Sequence, residues 1–320
     1  MRAAVHTSFG PPDVVQVVEK PVPALRRGDV LVKVHATTVT SAECAMRRGE
    51  PRWGRVVLGL RRPRPRLRTL GLEVAGVVES AGSGVTRFRP GDQVFGFTGF
   101  SVGGHAEYVR LPAEGSLCRK PESVTFAEAA AAVDGATTAL FFLRDRAGVR
   151  PGQRVLVNGA SGSIGTYAVQ LAKHLGAVVT AVCGPSNVEL VRSLGADEVV
   201  DYTERDFTDD LDTYDVVFDT VTKSSFRRSR RALRRGGKYL PTTGLANHLW
   251  AWGTAFLGKR VVAGMSVDKR ATLPFVSALL ESGELRVVID RTYPLSDIAA
   301  AHRYVDAGHK RGNVVIAVTS

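Results

Sequence analysis

Val155-Leu156-Val157 runs directly into Asn158-Gly159-Ala160-Ser161-Gly162-Ser163-Ile164-Gly165, and an amphipathic pattern follows. An apolar strand, a glycine-rich turn and a helix in that order make a dinucleotide-binding turn. Glycines at 159, 162 and 165 let the chain turn sharply, bring backbone N–H groups close to a pyrophosphate and seat the helix tightly on its strand. The positive end of the helix favours the phosphate charge. Ile164, Ala168, Leu171, Ala172 and Leu175 recur at helical spacing, Gly176 marks the stop, and Ala177–Val182 supplies a second apolar strand. Strand, turn, helix, strand is one unit of a doubly wound parallel sheet, so the glycines read as a cofactor site rather than an ordinary turn.

Working outward, further strands are expected at about 197–200, 214–219, 238–241 and 261–264, alternating with helical segments to complete six parallel strands. Upstream, Thr125-Phe126-Ala127-Glu128 carries an N-cap and a first-turn acid and opens an alanine-rich helix. Before it, short alternating runs such as Asp29–Val34 and Val94–Phe97, each entered by a Gly-Asp turn, describe a mainly β half. Residues 287–320, ending in the strand Asn313–Val318, are expected to rejoin that half. The domains predicted are therefore 1–124 with 267–320, and an inserted 125–266. Residues 47–69, rich in Arg, Pro and Gly, read as a long exposed loop of the kind that serves as a lid.

Across 320 residues, 43 Lys and Arg against 31 Asp and Glu give a formal charge of +12. Two clusters stand out, Arg52 to Arg68 in the loop, with Trp53 as its only aromatic, and Arg227 to Arg235 on an expected helix; with no interleaved aromatic pattern to stack bases, both read as solvated faces rather than nucleic-acid sites. Cys44, Cys118 and Cys183 lie far apart and form no C-x-x-C pair, which suggests neither a disulfide framework nor a zinc lobe and fits a reducing cytoplasm. Without a signal-peptide core or an uninterrupted apolar run of spanning length, a soluble protein with no membrane partner is expected.

Several segments in order resemble the medium-chain dehydrogenase/reductase superfamily and its zinc-independent quinone oxidoreductase-like branch. They are Gly28–Val34, Gly71-Leu72-Glu73-Val74-Ala75-Gly76-Val77-Val78, Arg89–Val94, Gly104-His105-Ala106-Glu107-Tyr108-Val109, the glycine turn, and Leu194-Gly195-Ala196-Asp197. The resemblance implies an α/β architecture, with a GroES-like β-rich catalytic domain plus a Rossmann domain of doubly wound parallel sheet. It also implies a nicotinamide cofactor and usually a homodimer.

Alcohol dehydrogenases of this superfamily hold a catalytic zinc, and by resemblance their ligand positions fall here on Thr40, Leu72 and near Asp134. A hydroxyl and an alkyl group cannot replace thiolate and imidazole, so no zinc is expected. Cys44 and Glu43 are read as packing and surface residues, and Glu73 as a structural carboxylate. Without a Lewis acid, conjugated acceptors such as quinones and enones remain feasible, because hydride addition delocalises charge onto a distant oxygen. The tyrosine often found before the Arg-x-Gly turn in this branch is replaced by Ala45, which leaves the proton donor unassigned. Thr40 is the first candidate for a polar group near the nicotinamide and Tyr108 a weaker one.

The end of the second strand reads Cys183-Gly184-Pro185-Ser186-Asn187, with no carboxylate to bind a ribose or repel a 2′-phosphate. Ser186, Asn187 and nearby Arg192 favour NADPH over NADH. By resemblance, Tyr202 lies along the adenine, Thr138 approaches the nicotinamide phosphate, Thr243-Gly244-Leu245 lines the cofactor, and Asn313 touches it. Trp250, Trp252, Phe256 and Leu257 read as core or dimer contacts, or as the lining of a pocket for a small hydrophobic carbonyl or quinone. An alcohol dehydrogenase, and a relative serving as a crystallin-like or RNA-binding protein, are the competing readings.

Overall fold

The computed structural model describes residues 1–221, 224–242, 251, 253–254 and 258–319. The chain divides into two compact units, Met1–Asp134 with Asp268–Ser320, and Gly135–Val267.

In the first unit, β1 (Arg2–His6) pairs antiparallel with β2 (Val15–Glu19). The main sheet is built on β3 (Asp29–Thr38), whose Val30, Val32 and Val34 are fully buried. It pairs antiparallel with β4 (Glu73–Ala81), which leads to β5 (Gln93–Phe97). The other edge of β3 is shared: β6 (Tyr108–Pro112) takes Asp29–Lys33, and a strand from the far end of the sequence takes Ala36–Thr38. A short β7 (Leu117–Arg119) lies on β5.

The second unit is a six-stranded parallel sheet of β8 (Arg154–Asn158), β9 (Val178–Cys183), β10 (Glu198–Asp201), β11 (Tyr214–Asp219), β12 (Leu233–Pro241) and β13 (Arg260–Val261). Its spatial order is β10-β9-β8-β11-β12-β13, so the order reverses beside β8. In such sheets ligands bind outside the carboxyl ends of the strands at that reversal. The returning segment supplies β14 (Ile289–Pro294) and β15 (Asn313–Ala317); β14 pairs parallel with β15, and β15 is the strand that closes on β3.

Of the helices, α1 (Ser41–Arg48) and α2 (Arg55–Leu58) belong to the first unit. The next, α3 (Phe126–Leu140), opens with the expected cap: Glu128 Oε2 accepts from Thr125 N at 2.8 Å, and the Thr125 hydroxyl accepts from Glu128 N at 3.2 Å. The boundary between units falls within this helix, at Asp134, and not before it. With its π-helical continuation it spans Phe126–Arg146, long and apolar enough to cross a membrane, although Glu128 and Asp134 interrupt it and most of it is buried. Following it are α4 (Ser163–His174), α5 (Val188–Ser193), α6 (Phe226–Ser229), α7 (Leu273–Glu281) and α8 (Ile298–Asp306).

Two expectations are corrected. Residues 47–69 are not one open loop: they hold the end of α1, then α2 and two 3-10 turns, because Leu58, Pro63 and Leu67 have an apolar floor to pack on. The second arginine cluster does not share one helix. Only Arg227 and Arg228 lie on α6; Arg234 and Arg235 are already in β12, where the buried Leu233 pairs with Tyr214.

Behind the sheet of the first unit, α1 and α8 meet over a buried polar knot. Arg47 is fully buried, donates to Gly10 O at 2.6 Å and pairs with Asp306. Cys44 Sγ lies 3.3 Å from His302 Nδ1, and the His302 ring meets the His105 ring edge-on at 5.8 Å. Burial pushes the Cys44 thiol up to about 12, which makes it a packing group and not a thiolate. Burial also pushes His302 down to about 2, with His105 and Arg47 acting in the same direction. Its Nε2 is buried without a hydrogen-bond partner among the described residues.

A histidine neutral in the fold and chargeable in the unfolded chain withdraws stability as pH falls below its unfolded value of 6.5. The slope is about 1.4 kcal/mol per pH unit. In His302→Gln, urea denaturation at several pH values between about 6 and 4 is expected to show a fall in unfolding free energy shallower by roughly that slope. Parallel pH profiles for the two proteins would contradict the assignment.

Candidate functional site

The glycine turn sits at the carboxyl end of β8, and two of its three glycines have a steric reason. Gly159 has φ +79°, and a Cβ there would meet Val221 at 2.4 Å. A Cβ on Gly165 would lie 2.1 Å from the Gly159 carbonyl oxygen, so α4 approaches β8 only because that position has no side chain. Gly162 is the N-cap of α4 and no side chain caps that end, unlike α1 and α3, which carry capping boxes. The first-turn N–H groups, around the half-buried Ser161, Ser163 and Ile164, have no carbonyl behind them in the helix. Oriented N–H groups and an uncapped helix end suit a pyrophosphate. Gly135 on α3 packs against Tyr167 and Ser163 Oγ, and Thr138, one turn further on, lies on the same face.

Beside the turn, the ends of β9 and β10 bring together the residues expected to read the adenosine. Pro185–Asn187 forms a 3-10 turn, Ser186 is exposed, and Asn187 is buried with its Oδ1 unpartnered among the described residues. Tyr202, 56% exposed, lies over Gly184, its hydroxyl 3.0 Å from where a Cβ would stand. Arg192 is on α5 and engaged with Glu189 at 3.0 Å. On the other side of β8, the fully buried Asp219 accepts from Asn158 Nδ2 at 3.0 Å and Tyr239 Oη at 2.8 Å. Sequence reasoning missed Asp219. Its only signal is position, as the last residue of the strand next to the glycine turn. Gly244 and Leu245, like Thr243, Trp250, Trp252, Phe256 and Leu257, lie outside the described residues.

The first unit gathers the other candidates. Thr40 caps α1: its hydroxyl accepts from Glu43 N at 3.2 Å and donates to Glu43 Oε2 at 2.9 Å. The second oxygen of Glu43 accepts from Gly71 N at 2.9 Å and Leu72 N at 2.8 Å. Glu43 is therefore fully buried, not a surface residue, because these donors replace the water that burial removes. It ties Thr40 to Leu72. Next to it, Glu73 accepts from the Thr38 hydroxyl and, at 2.5 Å, from Asp134 N. Burial pushes Glu73 up to about 8, and the Asp134 charge adds to the shift.

Asp134 in turn binds Lys269 at 2.8 Å, and that ammonium is fully buried, 5.2 Å from the centre of the Phe97 ring. Burial also lowers Lys310 to about 8, opposed by the Glu73 charge. Nothing in Val267-Asp268-Lys269-Arg270 or His309-Lys310-Arg311 separates these lysines from surface cations in the sequence. Asn313 donates to Val288 O at 3.0 Å, and Tyr108 is half-buried at the start of β6.

Residues 26–122 match the alcohol dehydrogenase GroES-like domain and residues 194–316 a zinc-binding dehydrogenase domain. The chloroplast envelope quinone oxidoreductase homolog of Arabidopsis thaliana is 31% identical over 99% of this chain and 98% of its own. The chain belongs to the medium-chain dehydrogenase/reductase superfamily. Also similar is the NADPH-dependent alkenal/one oxidoreductase of Arabidopsis thaliana, 30% identical over 99% of this chain and 79% of that protein. The solved quinone oxidoreductase from Coxiella burnetii superposes with a TM-score of 0.90 at 29% identity, covering 100% of this chain and 99% of the other.

A nicotinamide cofactor fits the second unit: the uncapped helix end, the glycine approach and the unpartnered Asn187 Oδ1 are features that a dinucleotide uses. Zinc does not fit the first. Of the three superfamily ligand positions, Thr40 is a helix cap, Leu72 has no donor atom, and Asp134 is bound to an ammonium. Removing that ammonium leaves Asp134 beside Glu73 with no counter-charge from Lys269. Lys269→Met is therefore expected to lower unfolding free energy by about 3–5 kcal/mol, and Asp134→Asn with Lys269→Met to restore part of it, measured by a denaturation double-mutant cycle. Additive losses would show that the pair is not coupled.

Proposed function

We propose that the protein is a zinc-independent, NADPH-dependent oxidoreductase that transfers hydride to a quinone, an enone or a related hydrophobic carbonyl, acting as a cytoplasmic homodimer. The observation that carries this reading is the Lys269 ammonium on Asp134, which puts a fixed cation where the alcohol dehydrogenases of the superfamily place a metal ligand. A carbonyl without a Lewis acid needs another outlet for negative charge, and conjugation supplies one. The printed names of the relatives, quinone oxidoreductase and alkenal/one oxidoreductase, support the same acceptor class.

When bound, a reduced nicotinamide supplies the hydride. The chain's own part would be to hold it: the N–H groups of the first turn of α4 would meet the pyrophosphate, Ser186, Asn187 and Tyr202 would receive the adenosine end, and Thr138 the nicotinamide phosphate. The strand end offers Asn187 and no carboxylate, which admits a 2′-phosphate. Thr40 donates its one proton to Glu43 and accepts from Glu43 N, so its hydroxyl has a lone pair left but no proton to give. It acts as a positioning group, and solvent completes protonation of the delocalised anion.

Two measurements test this. With purified enzyme, NADPH oxidation by a quinone or enone is expected to survive a strong chelator, whereas alcohol oxidation abolished by the chelator would favour an alcohol dehydrogenase. In Asn187→Asp the new carboxylate should lower kcat/KM for NADPH by about tenfold to a hundredfold while sparing NADH. An equal loss with both cofactors would remove Asn187 from the 2′-phosphate site.

A further inference from the structure

Several surface arginines of this chain carry a carboxylate partner, as in Arg2–Glu107, Arg119–Asp92 and Arg228–Asp206. The segment Pro51–Leu72 offers no such partner of its own. It holds Arg52, Arg55, Arg61, Arg62, Arg64, Arg66 and Arg68 and not one Asp or Glu. Arg55 stacks over Phe9 at 4.9 Å, and Arg64 and Arg68 donate to Val56 O and Pro63 O within the segment. Arg52, Arg61, Arg62 and Arg66 are exposed, with no ion pair among the described residues.

The same segment has two apolar faces. Leu58, Pro63 and Leu67 turn inward and line one small hollow with Phe9, Met46 and Leu70. Trp53, Val56, Val57 and Leu60 turn outward and are 60%, 65%, 59% and 72% exposed. Anchored below and apolar above, with unpaired cations at its rim, the segment matches what an interfacial element presents to a bilayer: aliphatic and tryptophan side chains for the acyl boundary, arginines for the headgroups.

We infer that residues 51–68 form a docking surface for a membrane rich in anionic lipid. Charge complementarity selects this occupant. A second copy would set one all-basic segment against its like. A nucleic acid would use the arginines and Trp53 but not Val56, Val57 and Leu60, which have no ring face for a base and would stay exposed. The expectation of no membrane partner came from the lack of a spanning run, and a segment lying in the interface needs none.

The full chain can be sedimented with sucrose-loaded vesicles of phosphatidylcholine alone or with about 30% phosphatidylglycerol. Partitioning is expected to rise at least tenfold with the anionic lipid and to fall with salt. Arg61→Ala with Arg62→Ala should weaken it by about 30-fold. Trp53→Ser with Leu60→Ser should weaken it even at low salt; if that pair lowers the melting temperature, Leu60→Gln, at the most exposed of the four positions, replaces it. Equal binding to both vesicles, undiminished binding by the apolar variant, or release by single-stranded RNA at equal phosphate concentration would each overturn the inference.

Discussion

A carboxylate removed from water must find its donors in the protein, and the first unit is arranged around two that have done so. Glu43 takes N–H and O–H groups from Thr40, Gly71 and Leu72, and thereby fixes the start of α1 against the chain entering β4. Glu73 takes the Thr38 hydroxyl and the Asp134 amide, and Asp134 takes the Lys269 ammonium. Loss of a partner would leave a buried polar group unsatisfied, and that cost favours keeping each of these contacts. Strand β3, helices α1 and α3 and the segment before α7 are thus held by one short chain of polar contacts.

Much of the second unit was legible because its constraints are local. The run from Val155 to Gly165 states a strand, a turn and a helix within eleven residues, and backbone sterics at Gly159 and Gly165 leave few other residue choices. The strands of that unit begin and end within a residue or two of the expected ones except β12, which starts earlier because Leu233 is drawn into the core with Tyr214, and β13, which ends at Val261 rather than at 264. Period and turn chemistry are read over short windows, and that is where they are reliable.

What escaped reading depends on contacts between distant residues. Glu43 reads as a surface residue because an acid on a short helix has that default; the backbone at Gly71 and Leu72, far along the sequence, supplies the donors to its second oxygen that let it be buried. Lys269 sits among Asp268 and Arg270 as one charge in a polar stretch, and its partner is Asp134. Asp219 is marked by nothing but its place at the end of β11. In the segment 51–68 the arginines stand out in the sequence and Val56, Val57 and Leu60 do not, because only the fold decides which apolar side chains are left uncovered.

The sharing of the edge of β3 bears on how the molecule is made. Ala36–Thr38 wait for β15, whose residues are synthesised only after the whole of the inserted unit. Gly135–Val267 is continuous in sequence, so its parallel sheet can assemble during translation from nearby crossovers. The β-rich unit is split, and it must keep an unsatisfied strand edge until the last stretch of chain arrives. On the ribosome the inserted unit therefore folds before its host, and the host is the part of the nascent chain that stands open to aggregation or to chaperones.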